Sequence, residues 1–441
     1  MLINFSFKNF GCFRDEQNFS MERHYVSRSA RSTSDGISTV AAIYGPNASG
    51  KSTLFNAMGF FIDFVLDSHS RGDAKSSINR HEFMLDPNSA NQPTEFAIEA
   101  TTSDGLRYLY SFGIIDNVID YEELIVYLTN RPSLMFSRGH GKTSIEFGAN
   151  FKGPRKQVWK ITRENSLFLS ASVASGGEIA TKVCASIRQT GQYEASSYMA
   201  ELTRIKLEAR NSPVFLSNLS NLIRCADFGI DQIEIRRSNT NMSEEVNSAL
   251  NHLLDIVSDN SDASQRKELQ YDLSTDLFFH HIGSNDGAWL PSAQESDGTI
   301  AALAFYSVAL RAMKHGDVVL VDEIERSMHP LLVREFIRLF EDETCNPNHA
   351  QLIFTSHDIA LISETSDDAR AVKRDQIWFT SKDSDGASDL YPLTDFRPRK
   401  DENVGRNYLN GVYQALPNPD ICTCFASACD YDASEVSEAD D

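Results

Sequence analysis

The segment GPNASGKST, residues 45–53, has the residue types and the spacing of a loop that binds phosphate groups. Backbone N–H groups of such a loop surround phosphate oxygens, a lysine reaches the β- and γ-phosphates, and a serine hydroxyl binds Mg²⁺. Lys51 and Ser52 occupy those positions, so the sequence predicts ATP and Mg²⁺ as cofactors. The predicted nucleotide-binding residues are Gly45, Pro46, Asn47, Ala48, Ser49, Gly50, Lys51, Ser52 and Thr53.

The residues around this loop indicate a strand before it and a helix after it. Val40–Tyr44 is a short apolar run, which is typical of a buried strand. Apolar residues then recur at helical spacing, at Leu54, Phe55, Met58, Phe61, Ile62 and Val65. A loop between a strand and a helix directs the N-terminus of that helix at a bound anion, as this mechanism requires.

The segment GDVVLVDEIE, residues 316–325, has the residues expected for the metal and water side of the same site. Its apolar part predicts a strand that ends at Asp322 and Glu323. We expect Asp322, together with Ser52, to bind Mg²⁺, and Glu323 to orient or deprotonate the attacking water. An acidic pair at a strand exit is common by itself, but the phosphate-binding loop in the same chain strengthens this interpretation.

A second candidate for catalysis is His357, in LIFTSHD at residues 352–358. The apolar residues before it predict another strand, and ligands of parallel α/β sheets bind beyond the carboxyl ends of the strands. From that position His357 could donate a hydrogen bond to the γ-phosphate or contact the attacking water. We therefore predict a catalytic role for His357.

The segment QESDGTIAALAFYSVAL, residues 294–310, predicts a second anion-binding position. Ser296 and Gly298 precede a strongly apolar helix, whose first N–H groups attract negative charge. Because residues 45–53 already surround the phosphates within one subunit, we expect Ser296 and Gly298 to contact the nucleotide held by another subunit.

The overall composition restricts the class of protein. A chain of 441 residues is long enough for two or three domains, and its formal charge of −21 argues against coating nucleic acid over the whole surface. It contains no apolar run long enough to cross a bilayer, so we expect a cytoplasmic protein. Cys422, Cys424 and Cys429 cluster near the end, but a zinc site requires four ligands and no histidine lies there, which favours free thiols over metal.

Changes in pattern along the chain predict its domain organisation. Residues 1–163 are strand-rich around the phosphate-binding loop, and residues 164–272 have helical periodicity that indicates a mostly helical insertion. This insertion could contact a partner or nucleic acid, or only complete the core. Alternating strands and helices resume over residues 273–420, and we expect the acidic tail, residues 421–441, to be disordered.

Several of these segments together resemble a known class of ATPase. GPNASGKST, ESDGT, VLVDEIE, SMHP and TSHD are similar to the Walker A, signature, Walker B, D-loop and switch-histidine elements of ABC-type ATPases. The variant resembles the soluble branch of structural-maintenance-of-chromosomes (SMC) and RecF proteins, and within it the overcoming-lysogenization-defect type. The two ends of the chain, MLINFSFKNFGCFRDEQNFSM and DFRPRKDENVGRNYLNGVYQALP, are similar to RloA/AbiL-like bacterial AAA family ATPases.

This resemblance implies an α/β fold, an ABC-type ATPase head with a mixed sheet, an antiparallel β lobe and a helical insertion. It also implies a homo-oligomer, a dimer or larger, in which two heads enclose two ATP molecules. Lys51 and Ser52 of one head would face Ser296 and Gly298 of the other, with residues 327–330 along the seam.

Relatives of this type are encoded beside a toxic effector, often a nuclease, in bacterial antiphage or abortive-infection systems. The resemblance thus implies an ATPase that controls such an effector and responds to DNA or to a phage protein. Residues 420–441 are too few for the Toprim nuclease domain of longer relatives, so we expect no nuclease activity from this chain. Relatives often have an arginine where this chain has Gly11, and Arg14 is the candidate substitute.

Two other functions are compatible with parts of the sequence. A RecF-like DNA-binding ATPase of DNA repair or maintenance would need a basic stripe, for which RIKLEAR and IRR are weak indications. These charges are more simply explained as a solvated helix face. A transporter ATPase is disfavoured because the usual signature is missing.

Overall fold

The computed structural model describes residues 1–24, 36–70, 73, 76–128, 131–139, 144–194, 198–237, 275–283, 287–364, 370–417, 420–422, 424, 425 and 428. The strands are β1 (Leu2–Lys8), β2 (Gln17–Ser20), β3 (Val40–Tyr44), β4 (Thr94–Thr101), β5 (Arg107–Ile115), β6 (Val118–Leu128), β7 (Arg131–Gly139), β8 (Glu146–Phe147), β9 (Thr190–Glu194), β10 (Ile230–Arg237), β11 (Thr275–His281), β12 (Ala288–Pro291), β13 (Val318–Asp322), β14 (Gln351–Thr355), β15 (Ile377–Lys382) and β16 (Ser388–Pro392). The helices are α1 (Lys51–Asp67), α2 (Arg155–Ile161), α3 (Phe168–Ala174), α4 (Glu178–Arg188), α5 (Tyr198–Asn211), α6 (Pro213–Cys225), α7 (Asp297–His315), α8 (Pro330–Glu341) and α9 (Val404–Leu409).

The main sheet has six strands in the order β16-β15-β3-β14-β13-β9, with β16 antiparallel to β15 and the other pairs parallel. All residues of β3 and β14 are buried because both faces of the sheet are covered. One face packs with α7 and α8, and the other packs with α1 and α4. This arrangement brings the carboxyl ends of β3, β14 and β13 to one edge.

A second, antiparallel sheet has seven strands in the order β2-β1-β4-β5-β6-β7-β8. Its residues alternate between buried and partly exposed, as along β4, because only one face is packed. Aromatic rings fill the space between this sheet and α1, and the rings of Phe61 and Phe112 stack at 5.5 Å. The sheet therefore supports the helix that begins at Lys51. The α/β fold class, with a mixed sheet and an antiparallel lobe, is confirmed.

The residues of the predicted insertion, 164–272, do not all form one helical unit. Strand β9 pairs in parallel with β13 at the edge of the main sheet, and α3 and α4 pack in the same core as α1. Only α5 and α6 form a separate core with β10, β11 and α7. The prediction of helical structure was wrong for β9, because TGQYE lacks the apolar run that marks the central strands. The domain boundaries stay a prediction, and residues 238–274 lie outside the described residues.

Two further expectations concern the surface and the end of the chain. No helix within the described ranges is long and apolar enough to span a membrane. Cys422 and Cys424 are exposed, whereas Cys429 and the acidic residues after it lie outside the described part.

A fully buried carboxylate, that of Glu122 on β6, connects the antiparallel sheet to α3. Its oxygens accept hydrogen bonds from Arg138 Nε at 2.8 Å, Tyr110 Oη at 2.9 Å, and the backbone N–H groups of Phe168 and Leu169 at 2.7 and 2.8 Å. A buried charge is tolerated when it is paired and fully hydrogen-bonded, as this one is. Burial, followed by the charge of Glu122, raises the pKa of Tyr110 well above its usual value, so the phenol keeps its proton.

We expect Glu122→Ala to lower the free energy of unfolding by about 3–5 kcal/mol, because it leaves the buried Arg138 charge without its carboxylate partner and two backbone N–H groups without their acceptor. Urea denaturation measures this loss. The control is Glu123→Ala, on the opposite face of the same strand, with an expected change below about 0.5 kcal/mol. Equal losses for the two variants would contradict this account of Glu122.

Candidate nucleotide-binding site

The loop at residues 45–50 joins the end of β3 to the first turn of α1, as the sequence predicts. Gly50 has a φ of 108°, a value that L side chains rarely adopt. A Cβ atom on Gly45 would overlap the hydroxyl of Thr380 on β15. Both glycines therefore let the loop lie close to its neighbours and turn its N–H groups toward a ligand.

The Lys51 side chain is buried, and its ammonium group donates to the carbonyl oxygens of Gly45 at 2.8 Å and Pro46 at 3.0 Å. Burial lowers the pKa of Lys51, and nearby carboxylates oppose this shift, those of Asp322, Glu323 and Glu325. Because acidic groups outnumber Lys51 here, a polyphosphate would be repelled unless a cation entered with it.

Asp322, at the end of β13, is held through both of its carboxylate oxygens. Ser52 Oγ donates to Oδ2 at 2.6 Å, and Thr355 Oγ1 donates to Oδ1 at 2.6 Å. The predicted metal ligands Ser52 and Asp322 are thus adjacent, and both offer the oxygen ligands that Mg²⁺ prefers. No cluster of three or more His, Cys, Asp or Glu residues suited to a metal occurs in the described ranges. This donor set fits Mg²⁺, which completes its coordination with water and phosphate oxygens.

Thr355 is a residue of the site that the sequence analysis missed. It is fully buried at the end of β14, and its hydroxyl also accepts the backbone N–H of Glu323 at 2.8 Å. The available signal was its place as the last residue of a strand directly before Ser356 and His357. In a parallel sheet, that place lies beside the end of the strand that carries the acidic pair.

Glu323 has a fixed backbone and an exposed carboxylate. Its φ is 53°, in the left-handed region that is unfavourable for residues other than glycine. The carboxylate lies 3.9 Å from Arg326 Nη1, and both side chains are about half exposed. Backbone strain of this kind is frequent at functional sites and persists only where neighbouring groups fix the residue. Here the Glu323 N–H is fixed by its bond to Thr355 Oγ1.

His357 lies two residues after the end of β14, at the edge of the sheet that also carries Asp322. Its side chain is exposed, and its backbone N–H donates to Glu325 Oε1 at 2.6 Å. The structure therefore brings residues 45–53, Asp322, Glu323 and His357 to the same edge.

Ser296 and Gly298 occupy a different environment, at the N-terminus of α7. Ser296 caps this helix by accepting the Thr299 N–H at 3.1 Å. A Cβ on Gly298 would lie 2.9 Å from the carbonyl oxygen of Ser327, so the helix N-terminus packs on the loop after β13. In the described part of the chain, no hydrogen bond or ion pair joins Ser296 or Gly298 to residues 45–53.

Two basic segments bear on the DNA-binding alternative. RIKLEAR lies on α5, and IRR lies at the end of β10. Lys206 donates to the Thr275 carbonyl at 3.0 Å, and Arg236 forms an ion pair with Glu234 at 2.9 Å. Both side chains are thus bonded to other groups of the chain, and direct DNA binding stays a prediction.

This fold and this site are those of a P-loop domain of the AAA class. The chain belongs to the family described as "AAA domain, putative AbiEii toxin, Type IV TA system", whose model matches residues 40–175 and 197–363. The matched residues include the phosphate-binding loop, the acidic pair and His357. No curated protein matches the chain.

The solved structures that resemble this chain at low sequence identity include an SMC head domain and an ABC transporter component. The SMC head domain from Thermotoga maritima is 13% identical with a TM-score of 0.39, over 89% of this chain and 98% of that one. The structure of cbiO1 from Clostridium perfringens, part of the ABC transporter complex cbiONQ, is 12% identical with a TM-score of 0.29, over 90% of this chain and 91% of that one.

We expect Thr355→Val to raise the Mg²⁺ concentration needed for half-maximal ATP binding by about 10- to 100-fold. The change removes the hydrogen bond to Asp322, and a hydrogen bond to a charged group contributes about 1.5–3 kcal/mol. Titration with a fluorescent ATP analogue at increasing Mg²⁺ measures the effect. The matched control is Thr394→Val, because the buried Thr394 hydroxyl has no partner among the described residues. An unchanged Mg²⁺ requirement in Thr355→Val would refute the role of Thr355.

Proposed function

We propose that this chain binds ATP with Mg²⁺ at residues 45–53 and hydrolyses it to ADP and phosphate. One observation carries the proposal: the Ser52 and Thr355 hydroxyls hold both oxygens of Asp322, and Ser52 directly follows Lys51 in the loop. A carboxylate held in this way has lost its rotational freedom before any ligand arrives, so little reorganisation is needed on binding.

Each residue of the site has a role in this proposal. The Lys51 ammonium group leaves the carbonyl oxygens of Gly45 and Pro46 and donates instead to oxygens of the β- and γ-phosphates. Ser52 and Asp322 would hold Mg²⁺. Mg²⁺, when bound, neutralises charge on the phosphates. The Glu323 carboxylate leaves its weak contact with Arg326, orients the attacking water and accepts its proton. His357 donates a hydrogen bond to the γ-phosphate.

Two variants separate binding from hydrolysis. We expect Lys51→Ala to lose ATP affinity, because the phosphates lose their cation, and Glu323→Gln to keep it while hydrolysing about 100-fold or more slowly. Phosphate release and nucleotide binding are measured in parallel. The matched control is Glu335→Gln on the exposed part of α8, with an expected rate equal to that of the unmodified chain. A Glu323→Gln protein as active as this control would contradict the role of Glu323.

We further propose that two chains enclose the nucleotides, with Ser296 and Gly298 of one chain contacting the ATP held by the other. Three observations support this arrangement. Ser296 is exposed at the N-terminus of a 19-residue helix, whose first N–H groups attract phosphate. Ser327, whose carbonyl lies against Gly298, has a φ of 63°, and Leu331 in the first turn of α8 is 64% exposed. An exposed apolar side chain four residues after the loop that contacts this helix end suits a contact between subunits.

The biological role that we propose is control of a partner effector, of the nuclease class and encoded nearby, in cytoplasmic bacterial antiphage defence. The trigger would be DNA or a phage protein. The family description, which names a toxin of a toxin–antitoxin system, supports a defence-related role. The same description favours a second candidate, in which this chain is itself the toxic component. The narrower assignment to RloA/AbiL-like ATPases rests on the two ends of the chain.

Growth of bacteria that express the chain distinguishes these roles. We expect the chain alone to leave growth unchanged, and co-expression with the adjacent gene to stop growth only on phage infection and only when Lys51 is intact. The control is Lys51→Ala at equal protein levels. Growth arrest by the chain alone that disappears in Lys51→Ala would contradict the effector proposal and support the second candidate.

A further inference from the structure

Glu325 is a partly buried carboxylate beside the site to which no role has been assigned above. It follows the acidic pair in DEIE, and its negative charge acts to raise the pKa of both Lys51 and Tyr44. Its Oε1 accepts the His357 N–H at 2.6 Å. Its Oε2 is buried and has no hydrogen-bond partner among the described residues. The bond to His357 is therefore what orients this side chain in the described structure.

The backbone groups of the residues on either side of His357 are hydrogen-bonded to β3, whereas the His357 N–H is not. Ser356 donates its N–H to the Ile43 carbonyl at 3.1 Å, and the Tyr44 hydroxyl donates to the Asp358 carbonyl at 3.0 Å. Both of these bonds connect the segment to β3. The His357 N–H is instead held by a side chain from the loop after β13. Glu325 thus connects the position of His357 to the loop that carries Glu323.

That loop is itself in contact with the N-terminal end of α7 and with α5. The Ser327 carbonyl lies against Gly298, and the Tyr198 hydroxyl donates to the Arg326 carbonyl at 3.2 Å. Residues 326–327 therefore contact α5 and α7, and Glu325, which precedes them, contacts His357. These contacts form a short connected series between the helix end proposed to contact the second nucleotide and the histidine beside the first.

We propose that Glu325 is a positioning residue that holds His357 in place through its backbone N–H. Because this role depends on the hydrogen bond, we expect Glu325→Gln to keep it, since the amide oxygen of glutamine can accept the same N–H. Glu325→Ala removes the hydrogen bond and therefore the positioning role. The inference rests on the proposed role of His357 in hydrolysis, but the contact itself can be tested without any activity.

The first measurement is hydrogen–deuterium exchange at the His357 amide in the full-length chain. We expect about tenfold or faster exchange in Glu325→Ala than in the unmodified chain, with Glu325→Gln and the exposed control Glu335→Ala unchanged. Unchanged exchange in Glu325→Ala would overturn the proposal. This readout remains decisive if the chain shows no ATP hydrolysis, in which case only the proposed function fails.

The second measurement is the steady-state rate of ATP hydrolysis. We expect Glu325→Ala to lower kcat about tenfold or more while KM changes less than about threefold, and Glu325→Gln to retain most of the activity. Adding Glu325→Ala to His357→Ala should cause no further loss, because both changes remove the same contribution. An equal loss in the Gln and Ala variants would show that the charge is what matters, and a multiplied loss in the double variant would show that Glu325 acts separately from His357. Either result would overturn the positioning role.

Discussion

The site depends on the two hydrogen bonds that fix the Asp322 carboxylate. One comes from α1 through Ser52, and the other comes from β14 through Thr355. Because Asp322 is the last residue of β13, these bonds join three elements that are distant in the sequence. Thr355 also accepts the Glu323 N–H, so the residues proposed to bind the metal and to orient the water share one support. Misplacing any of the three elements would separate the metal ligands.

The rest of the fold keeps these elements in place. Strands β3, β14 and β13 are parallel and buried between two layers of helices, which fixes where each strand ends. The aromatic rings of the antiparallel sheet pack against α1 and so hold the helix that carries Lys51 and Ser52. Gln351, fully buried at the start of β14, bonds both backbone groups of Leu2 and so joins the two sheets. The elements that carry the site are therefore held in place by contacts with both sheets.

Much of this arrangement was predictable from sequence, and what was missed has physical reasons. The loop, the acidic pair and the strand before His357 have strong local patterns, because buried parallel strands require continuous apolar runs. Strand β9 lies at a sheet edge and needs no such run, so its polar sequence was included in the predicted helical region. Thr355 and Glu325 act through contacts between strand ends, and such contacts depend on register that a single sequence does not define. The helix N-terminus at Ser296 was recognisable from the strongly apolar helix that follows it, but its contact with Ser327 was not.

One chain thus holds the phosphate-binding loop and the proposed catalytic residues, while among the residues that the structure describes no hydrogen bond joins the helix end at Ser296 to either of them. The central claim is that each chain completes the nucleotide site of another. The most direct test is the solution mass of the Glu323→Gln protein with and without ATP and Mg²⁺, since slow hydrolysis should keep the nucleotide bound. The account predicts that the mass at least doubles with ATP and Mg²⁺, and that Gly298→Asp, which places a negative charge against the phosphates, prevents this. A monomer that binds ATP without any change in mass would contradict the claim.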